Sequence, residues 1–281
     1  MLSNKITIIG CGGVGSTIAY ALTYMNNINE IALVDINKNL SIGESMDIAH
    51  GISCISLVSL YPGTYEDCKD SDIIIITAGR NRMANETRDA LLEDNKKIMQ
   101  SILDEMKPYY SNSFVIIVSN PVDKLTEYAE DQMFIPRHKI CSSGCMLDTS
   151  RCICVIAQYL NVETNAVNAF SVGKHGVGQR ILWDKVTINN DPIDTYCAKN
   201  SIPWNENIKK SLNSKVSEMG TEIISCKGRT QYGIATVVAH LTNCLYSTEY
   251  TLVSVGTRIN NIPHVESELV YIGNMEIKST N

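Results

Sequence analysis

The sequence predicts an α/β protein with a doubly wound parallel sheet, followed by a mixed α+β domain. Three observations lead to this fold class. Short apolar runs alternate with helical patterns through the first half, a glycine-rich turn joins the first run to the first helix, and the alternation changes after residue 144. The chain has 281 residues, which is enough for one large domain or two smaller ones.

The apolar runs of the first half have the composition of buried parallel strands. Runs such as 73–76 and 114–118 consist of Ile, Val and Phe, and they are too short to span a bilayer. We predict strands at residues 5–9, 30–35, 72–77, 113–119 and 139–142, and helices near 14–25, 38–49, 87–107 and 123–133.

After residue 144 the pattern is that of a mixed domain. It predicts helices near 147–159, 205–225 and 230–246, with strands near 169–172, 185–188, 250–255 and 268–272. This change places a boundary near residue 143, so we expect domains at 1–143 and 144–281.

The first predicted strand runs directly into Gly10-Cys11-Gly12-Gly13-Val14-Gly15. Gly10 would allow a sharp turn, Gly12 would let backbone N–H groups approach a pyrophosphate, and Gly15 would let the next helix pack closely on the sheet. Alone, this motif is equally typical of a plain strand-to-helix turn. Asp35 at the end of the second strand could accept hydrogen bonds from both ribose hydroxyls, which favours a dinucleotide-binding Rossmann domain. Ile36 offers no cation for a 2′-phosphate, so NAD is favoured over NADP.

The composition argues against several other classes of protein. A net charge of −6 and a pI near 5.4 leave no basic stripe for nucleic acid. We see no membrane span and no secretory signal before the first strand, so we expect a cytoplasmic protein. The ten cysteines form no Cys-x-x-Cys pair, and His138, Cys141 and Cys145 come nearest to a ligand cluster. We therefore expect free thiols and no metal site.

Polar clusters follow three of the predicted strands, and ligands of such sheets bind beyond the carboxyl ends of strands. These clusters are Thr77-Ala78-Gly79-Arg80, Ser119-Asn120-Pro121 and Ser142-Ser143-Gly144.

Asp148, Arg151 and His175 are candidates for chemistry. Asp148 and Arg151 lie three residues apart on one predicted helix, where an arginine fork could bind a substrate carboxylate or simply form an intrahelical salt bridge. His175 lies in a glycine-flanked turn after a strand. An aspartate-oriented histidine could exchange a proton there, although an ordinary loop histidine would give the same pattern.

The segment 80–88 carries three arginines before a helix. It fits either a solvated loop with an N-capping Thr87 or Asn85, or a lid that closes over an anionic substrate and excludes water.

Together these motifs resemble the L-lactate/malate dehydrogenase family over nearly the whole chain. The matching motifs are Gly10-x-Gly12-x-x-Gly15, Asp35, Met46-Asp47-Ile48-Ala49-His50-Gly51, Gly63-x-Tyr65-x-Asp67-Cys68, Thr77-Ala78-Gly79, Glu86-Thr87-Arg88, Ser119-Asn120-Pro121-Val122-Asp123, Leu147-Asp148-Thr149-x-Arg151 and Gly173-x-His175-Gly176.

The resemblance implies reversible hydride transfer between NAD and an L-2-hydroxy acid. It implies that His175 is the general acid/base, oriented by Asp148, and that Arg151 holds the C1 carboxylate. It further implies that Arg88 polarises the carbonyl and that Asn120 bonds the reacting oxygen. The residues implied to bind the cofactor are Gly10, Gly12, Gly13, Val14, Gly15, Asp35, Thr77, Ala78, Gly79 and Asn120. Family members usually form homodimers or homotetramers.

Two positions point to different substrates within this resemblance. Arg82, six residues before Arg88, resembles malate enzymes, in which an arginine pairs with the second carboxylate of oxaloacetate. Thr230 and the sequence Glu86-Thr87-Arg88 resemble lactate enzymes. We favour malate/oxaloacetate because Arg82 supplies charge directly, and keep lactate/pyruvate as the alternative.

Departures from the family pattern keep other functions open. Lys174 and Val177 replace acidic residues beside the histidine turn, so we expect a lowered pKa of His175. The sequence ends soon after Gly273, so we expect the family's C-terminal helix to be missing, either because the protein is naturally short or because the sequence is incomplete. A catalytically weak NAD-binding or structural protein therefore remains an alternative. An NAD-dependent glycosidase would need metal-binding cysteine and histidine residues, and Cys145 has no partner motif for that.

Overall fold

The computed structural model describes residues 3–80, 87–176, 178–259 and 262–280, except for the side chain of Arg88. The helices in these ranges are α1 Gly13–Leu22, α2 Lys38–Ile52, α3 Arg88–Met106, α4 Val122–Asp131, α5 Met146–Leu160, α6 Ile193–Lys199, α7 Glu206–Lys227 and α8 Tyr232–Tyr246. The strands are β1 Lys5–Ile9, β2 Glu30–Val34, β3 Ser59–Pro62, β4 Ile73–Ile76, β5 Phe114–Ile117, β6 Ile140–Ser142, β7 Val167–Asn168, β8 Ser171–Gly173, β9 Gln179–Ile181, β10 Thr187–Ile188, β11 Asp191–Pro192, β12 Thr251–Thr257, β13 Glu266–Gly273 and β14 Glu276–Ser279.

The first half forms a parallel sheet in the order β3-β2-β1-β4-β5-β6. This confirms the predicted doubly wound sheet, in which the chain starts at the centre and winds outward in both directions. Ile8 of β1 pairs with Leu33 on one side and Ile75 on the other. Sequence reasoning missed β3, because this four-residue edge strand has one buried residue, Leu60, and thus no continuous apolar run.

Helices cover both faces of this sheet. The four isoleucines of β4 are fully buried, and their side chains alternate between two clusters. Ile73 and Ile75 pack with residues of α1 and α8, whereas Ile74 and Ile76 pack with residues of α3 and α4. Each buried isoleucine contributes about 1.5–3 kcal/mol of transfer free energy, so the runs of apolar residues fix the sheet between its helices.

The sheet continues into the second half of the chain. Ser142 of β6 pairs with Gly256 of antiparallel β12, which is followed by β13, β8 and β9, while β14 pairs with β13. Eleven strands of the described ranges thus form one sheet, and β11, β10 and β7 form another. The predicted boundary near residue 143 stays a prediction, because both halves share this sheet.

Several short elements of the second half were not predicted. They are β7, β9, β11, β14 and α6, each of seven residues or fewer, for which periodicity gives little signal. After Gly273, where the family's helix was expected to have no counterpart, residues 276–279 form β14.

Gly15 is expected to be essential for the packing of α1 on the sheet. A Cβ at Gly15 would lie 1.9 Å from the Gly10 carbonyl oxygen, which is backbone and cannot yield cheaply. Gly15→Ala should therefore cost about 3 kcal/mol or more of unfolding free energy. Gly43→Ala is the matched control, because its Cβ would meet nothing within 4 Å inside α2. It should stabilise the protein by about 1 kcal/mol. Urea unfolding followed by circular dichroism measures both, and equal midpoints would contradict the packing argument.

Candidate active site

The glycine turn after β1 has the shape of a ligand cradle. Gly10 has φ +103°, and a Cβ there would lie 2.5 Å from the backbone nitrogen of Ala78. Around Gly12, in contrast, a Cβ would meet nothing within 4 Å, so the turn is open on that side. Helix α1 starts at Gly13 without a side-chain cap from any described residue. The first N–H groups of a helix lack partners within the helix, so this uncapped start suits a pyrophosphate.

Asp35 closes the other end of this cradle. Its Oδ2 accepts a hydrogen bond from the Cys11 N–H at 2.7 Å, and its Oδ1 accepts one from the Asn37 N–H at 2.8 Å. Each carboxylate oxygen keeps a second lone pair that can accept a ribose hydroxyl. Ile36 beside it is fully exposed, and its apolar side chain offers no positive charge to a 2′-phosphate. The turn and Asp35 together fit the pyrophosphate and adenosine ribose of NAD.

The carboxyl ends of β4 and β5 are tied to each other and to the glycine turn. Thr77 Oγ1 donates to the Gly10 carbonyl at 2.8 Å, and Ser119 Oγ donates to the Ala78 carbonyl at 2.6 Å. The Cβ that Gly79 lacks would lie 3.4 Å from Asn95 Oδ1. Two of the three predicted polar clusters, those after β4 and β5, therefore meet at one edge of the sheet.

Asn95 of α3 holds this edge together and was missed by sequence reasoning. Its side chain is 2% exposed; Nδ2 donates to the Asn120 carbonyl at 2.6 Å, and Oδ1 accepts from the Arg80 N–H at 2.9 Å. A polar residue on the core-facing side of a helix was the available signal. Asn95 fixes the backbone of Asn120, whose exposed side chain is a candidate ligand for the substrate.

His175 and Asp148 form a hydrogen-bonded pair. His175 lies in the turn between β8 and β9, and its Nδ1 is 2.8 Å from Asp148 Oδ2 of α5. The Asp148 side chain is 1% exposed, whereas that of His175 is 29% exposed. The carboxylate is thus buried behind the ring, and its bond assigns the proton of Nδ1. The nitrogen Nε2 remains for proton exchange with a ligand.

Arg151 also contacts Asp148, as its position on the same helix face predicted. Its Nη1 is 3.3 Å from Asp148 Oδ1, so the intrahelical salt bridge exists, and the side chain is 12% exposed. A Cβ at Gly220 of α7 would lie 3.4 Å from Arg151 Nη2, so this glycine makes room for the guanidinium. Because a guanidinium has five donors, this bond leaves others for a ligand carboxylate.

The pKa of His175 is raised, and the expected lowering by Lys174 is wrong. Burial alone lowers the pKa of His175, but the hydrogen bond and charge of Asp148 and the charge of Asp123 outweigh it, against a smaller opposing effect of Arg151. Burial likewise raises the pKa of Asp148. The hydrogen bond and charge of His175 and the charge of Arg151 outweigh burial, so the pKa of Asp148 lies below its ordinary value. The net effect of these groups on the pKa of His175 is therefore a rise.

Two contacts join α5 to the strand before the histidine turn. Thr149 Oγ1 accepts from the Ser171 N–H at 3.0 Å, and Cys145 Sγ donates to the Gly173 carbonyl at 3.6 Å. These small polar residues next to Asp148 were not predicted to act together. They hold β8 against the start of α5, which brings the histidine to the aspartate.

Thr230 lies on a segment between the glycine turn and α5. Next to it, Gln231 Oε1 would be 3.1 Å from a Cβ at Gly13, and a Cβ at Gly233 would be 3.0 Å from Leu147.

Other predicted site residues lie outside the described structure: Arg82, Asn85 and Val177, as well as the side chain of Arg88. Thr87 caps α3, since its side chain accepts from the Ala90 N–H at 3.2 Å.

Within the described ranges, no group of three His, Cys, Asp or Glu side chains is arranged to hold a metal ion. The ten cysteines are free thiols, and Cys141 and Cys145 are buried. Among the described residues, no helix is long and apolar enough to cross a membrane.

Comparison with known proteins assigns both halves of the chain to one family. Residues 4–142 match the NAD-binding domain of lactate/malate dehydrogenases, and residues 145–274 match their alpha/beta C-terminal domain. The chain belongs to the lactate/malate dehydrogenase family. As a family member it is an NAD-dependent 2-hydroxy acid oxidoreductase, which confirms the predicted activity, cofactor and fold class.

Its relatives in this family include lactate and malate enzymes. The L-lactate dehydrogenase of Clostridium botulinum (strain Loch Maree / Type A3) is 35% identical over 271 residues, covering 96% of this chain and 85% of that protein. The minor L-lactate dehydrogenase of Enterococcus mundtii superposes with a TM-score of 0.92 at 29% identity, covering 98% and 89% of the two chains. The malate dehydrogenase of Plasmodium falciparum gives 0.91 at 29% identity, covering 100% and 90%.

Removing the Asp148 charge should lower the pKa of His175. Because the folded pKa is raised, the imidazolium–carboxylate pair stabilises the fold at pH values below the ordinary histidine pKa, and this stability is lost as the pH rises through the raised value. In Asp148→Asn the titration midpoint of His175 should fall by about one pH unit or more. Carbon-13 NMR of histidine-labelled protein measures it, and His175→Asn identifies the signal among the five histidines. An unchanged midpoint would mean that Asp148 does not set the protonation of His175.

Proposed function

We propose that this dehydrogenase interconverts a 2-oxo acid and its L-2-hydroxy acid with His175 as the general acid/base. The observation that carries this proposal is the 2.8 Å bond between His175 Nδ1 and the buried Asp148 carboxylate. This bond orients the ring and stabilises its cationic form, so that Nε2 can donate a proton to the ketone oxygen in reduction. In oxidation the neutral ring takes the hydroxyl proton back.

We assign Arg151 to the C1 carboxylate of the substrate. Its guanidinium is largely buried beside the proton donor, and a fork of parallel charge-assisted bonds fixes the orientation of a planar group. With C1 held there, the neighbouring keto oxygen comes close to His175. The sequence motifs further support Asn120 and Thr230 as contacts of the substrate, and Arg88 as the group that polarises its carbonyl.

Bound NAD supplies the hydride. We propose that residues Gly10–Gly15, Thr77-Ala78-Gly79 and Asn120 hold the cofactor together with Asp35. The open face at Gly12, the uncapped start of α1 and the free lone pairs of Asp35 support this assignment. These residues position the cofactor so that the reacting carbon faces the substrate carbonyl.

Malate/oxaloacetate is our proposed substrate pair because of Arg82. A second substrate carboxylate buried without a cation would cost several kilocalories per mole, and Arg82 supplies that cation in the sequence position that distinguishes the two branches. Lactate/pyruvate is the second candidate, favoured by Thr230 and by the L-lactate dehydrogenases at 35% identity. We also propose a cytoplasmic homodimer or homotetramer, in line with the family resemblance.

The role of His175 is tested by His175→Asn. The variant should lose a factor of about 10³ in kcat for NADH-dependent reduction of oxaloacetate and pyruvate, because the proton donor is gone. NADH binding, followed by the change in NADH fluorescence, should stay as in the wild type. Wild-type turnover in the variant would refute the assignment. If the wild type binds NADH and turns over neither oxo acid, the catalytically weak binding protein becomes the better description.

The substrate proposal is tested by Arg82→Gln. The ratio of kcat/KM for oxaloacetate to that for pyruvate should fall by about a hundredfold, because the second carboxylate loses its cation. Arg80→Gln is the matched control from the same segment, since Arg80 pairs with Asp94 at 2.8 Å and should change the ratio little. A wild-type ratio in Arg82→Gln would favour lactate/pyruvate.

A further inference from the structure

Asp123 links the turn that carries His175, the proposed proton donor, to the loop that carries Asn120, the proposed contact of the reacting oxygen. It lies in the first turn of α4, three residues after Asn120. Its Oδ2 accepts a hydrogen bond from the backbone N–H of His175 at 3.0 Å, across 52 residues of sequence. One carboxylate thus joins the end of β5 to the turn between β8 and β9.

The Asp123 carboxylate is closely approached by a neighbouring strand. Its Oδ1 is buried and has no hydrogen-bond partner among the described residues. A Cβ at Gly256 of β12 would lie 3.1 Å from this oxygen and 2.2 Å from Ser142 Oγ, so the absence of a side chain there makes room for both groups. The positive end of α4 favours a negative charge in its first turn, which offsets part of the cost of burial.

The imidazole of His175 therefore lies near two carboxylates from different helices. Asp148 of α5 bonds the ring, and Asp123 of α4 bonds the backbone of the same residue. The charge of Arg151 of α5 lowers the pKa of His175, and the charge of Glu266 of β13 raises the pKa of Asp123. Burial raises the pKa of Asp123, while the bond and charge of His175 oppose that rise.

We propose that Asp123 is a positioning residue for this reaction. Its hydrogen bond fixes the backbone of His175 relative to Asn120, and its charge adds to that of Asp148 in favouring the imidazolium form. The inference rests on the proposed function of His175. It assigns two roles to the Asp123 side chain, that of a hydrogen-bond acceptor and that of a charge. Asparagine, the isosteric amide, keeps the acceptor and removes the charge.

Asp123→Asn tests the charge, because the amide oxygen can still accept from the His175 N–H. The titration midpoint of His175, measured by carbon-13 NMR of the full protein with NADH bound, should fall by about half a pH unit to one unit. The alkaline limb of kcat/KM for reduction should move with it, while kcat on the acid plateau stays near wild type. Glu127→Gln is the matched control, since Glu127 of α4 accepts from the Val265 N–H at 3.1 Å. It should leave the midpoint of His175 unchanged.

Asp123→Ala tests the acceptor. Without it the histidine turn loses its tie to α4, and kcat on the acid plateau should fall about tenfold or more, since displacement of a catalytic group is costly. Asp123→Asn should restore that loss, which a purely electrostatic role would not predict. If Asp123→Ala does not fold, the comparison of Asp123→Asn with Glu127→Gln still decides the charge.

Two results would overturn the proposal. One is the same His175 midpoint in Asp123→Asn and Glu127→Gln; the other is wild-type kcat in Asp123→Ala. Failure of the underlying function is distinguishable from both, because His175→Asn would then retain turnover. The NMR titration needs no turnover, so it reports on Asp123 in either case.

Discussion

The hydrogen bond between His175 and Asp148 is the contact on which the arrangement of the candidate active site depends. It joins a surface turn to a helix 27 residues earlier in the chain, with the carboxylate 1% exposed behind a partly exposed ring. A buried carboxylate is costly unless charges and donors compensate for it. The imidazole and Arg151 provide that compensation, so burial of the Asp148 carboxylate depends on both partners.

The fold holds this group at a fixed position relative to the glycine turn after β1. Pairing of β6 with β12 extends the parallel sheet into the second half, and β13 then places β8 beside it. The start of α5 follows β6 directly, while the histidine turn follows β8. Because one sheet carries both, the distance between the glycine turn after β1 and His175 is set by strand pairing and does not rely on a linker.

Much of this arrangement was predictable from local sequence. The apolar runs of β1, β4 and β5 are continuous because both faces of a parallel sheet are buried, and that pattern is readable without any partner. The glycine turn was also predictable, because Gly10, Gly12 and Gly15 follow the first apolar run at fixed spacing. Short elements such as β3 and β14 escaped prediction, because a few residues at a sheet edge leave no periodic pattern.

The sequence by itself determined the fold class and the NAD cofactor, and it singled out His175, Asp148 and Arg151 as candidates for chemistry, because each of these predictions depends on residue types at fixed spacing. Only the tertiary structure decided how these side chains combine. It set the partner of His175, the pKa of His175 that Asp148 and Asp123 raise against burial and the charge of Arg151, and the links made by Asn95 and Asp123. These depend on distances between residues far apart in the chain, and such distances are fixed by strand pairing and helix packing, which local patterns do not encode.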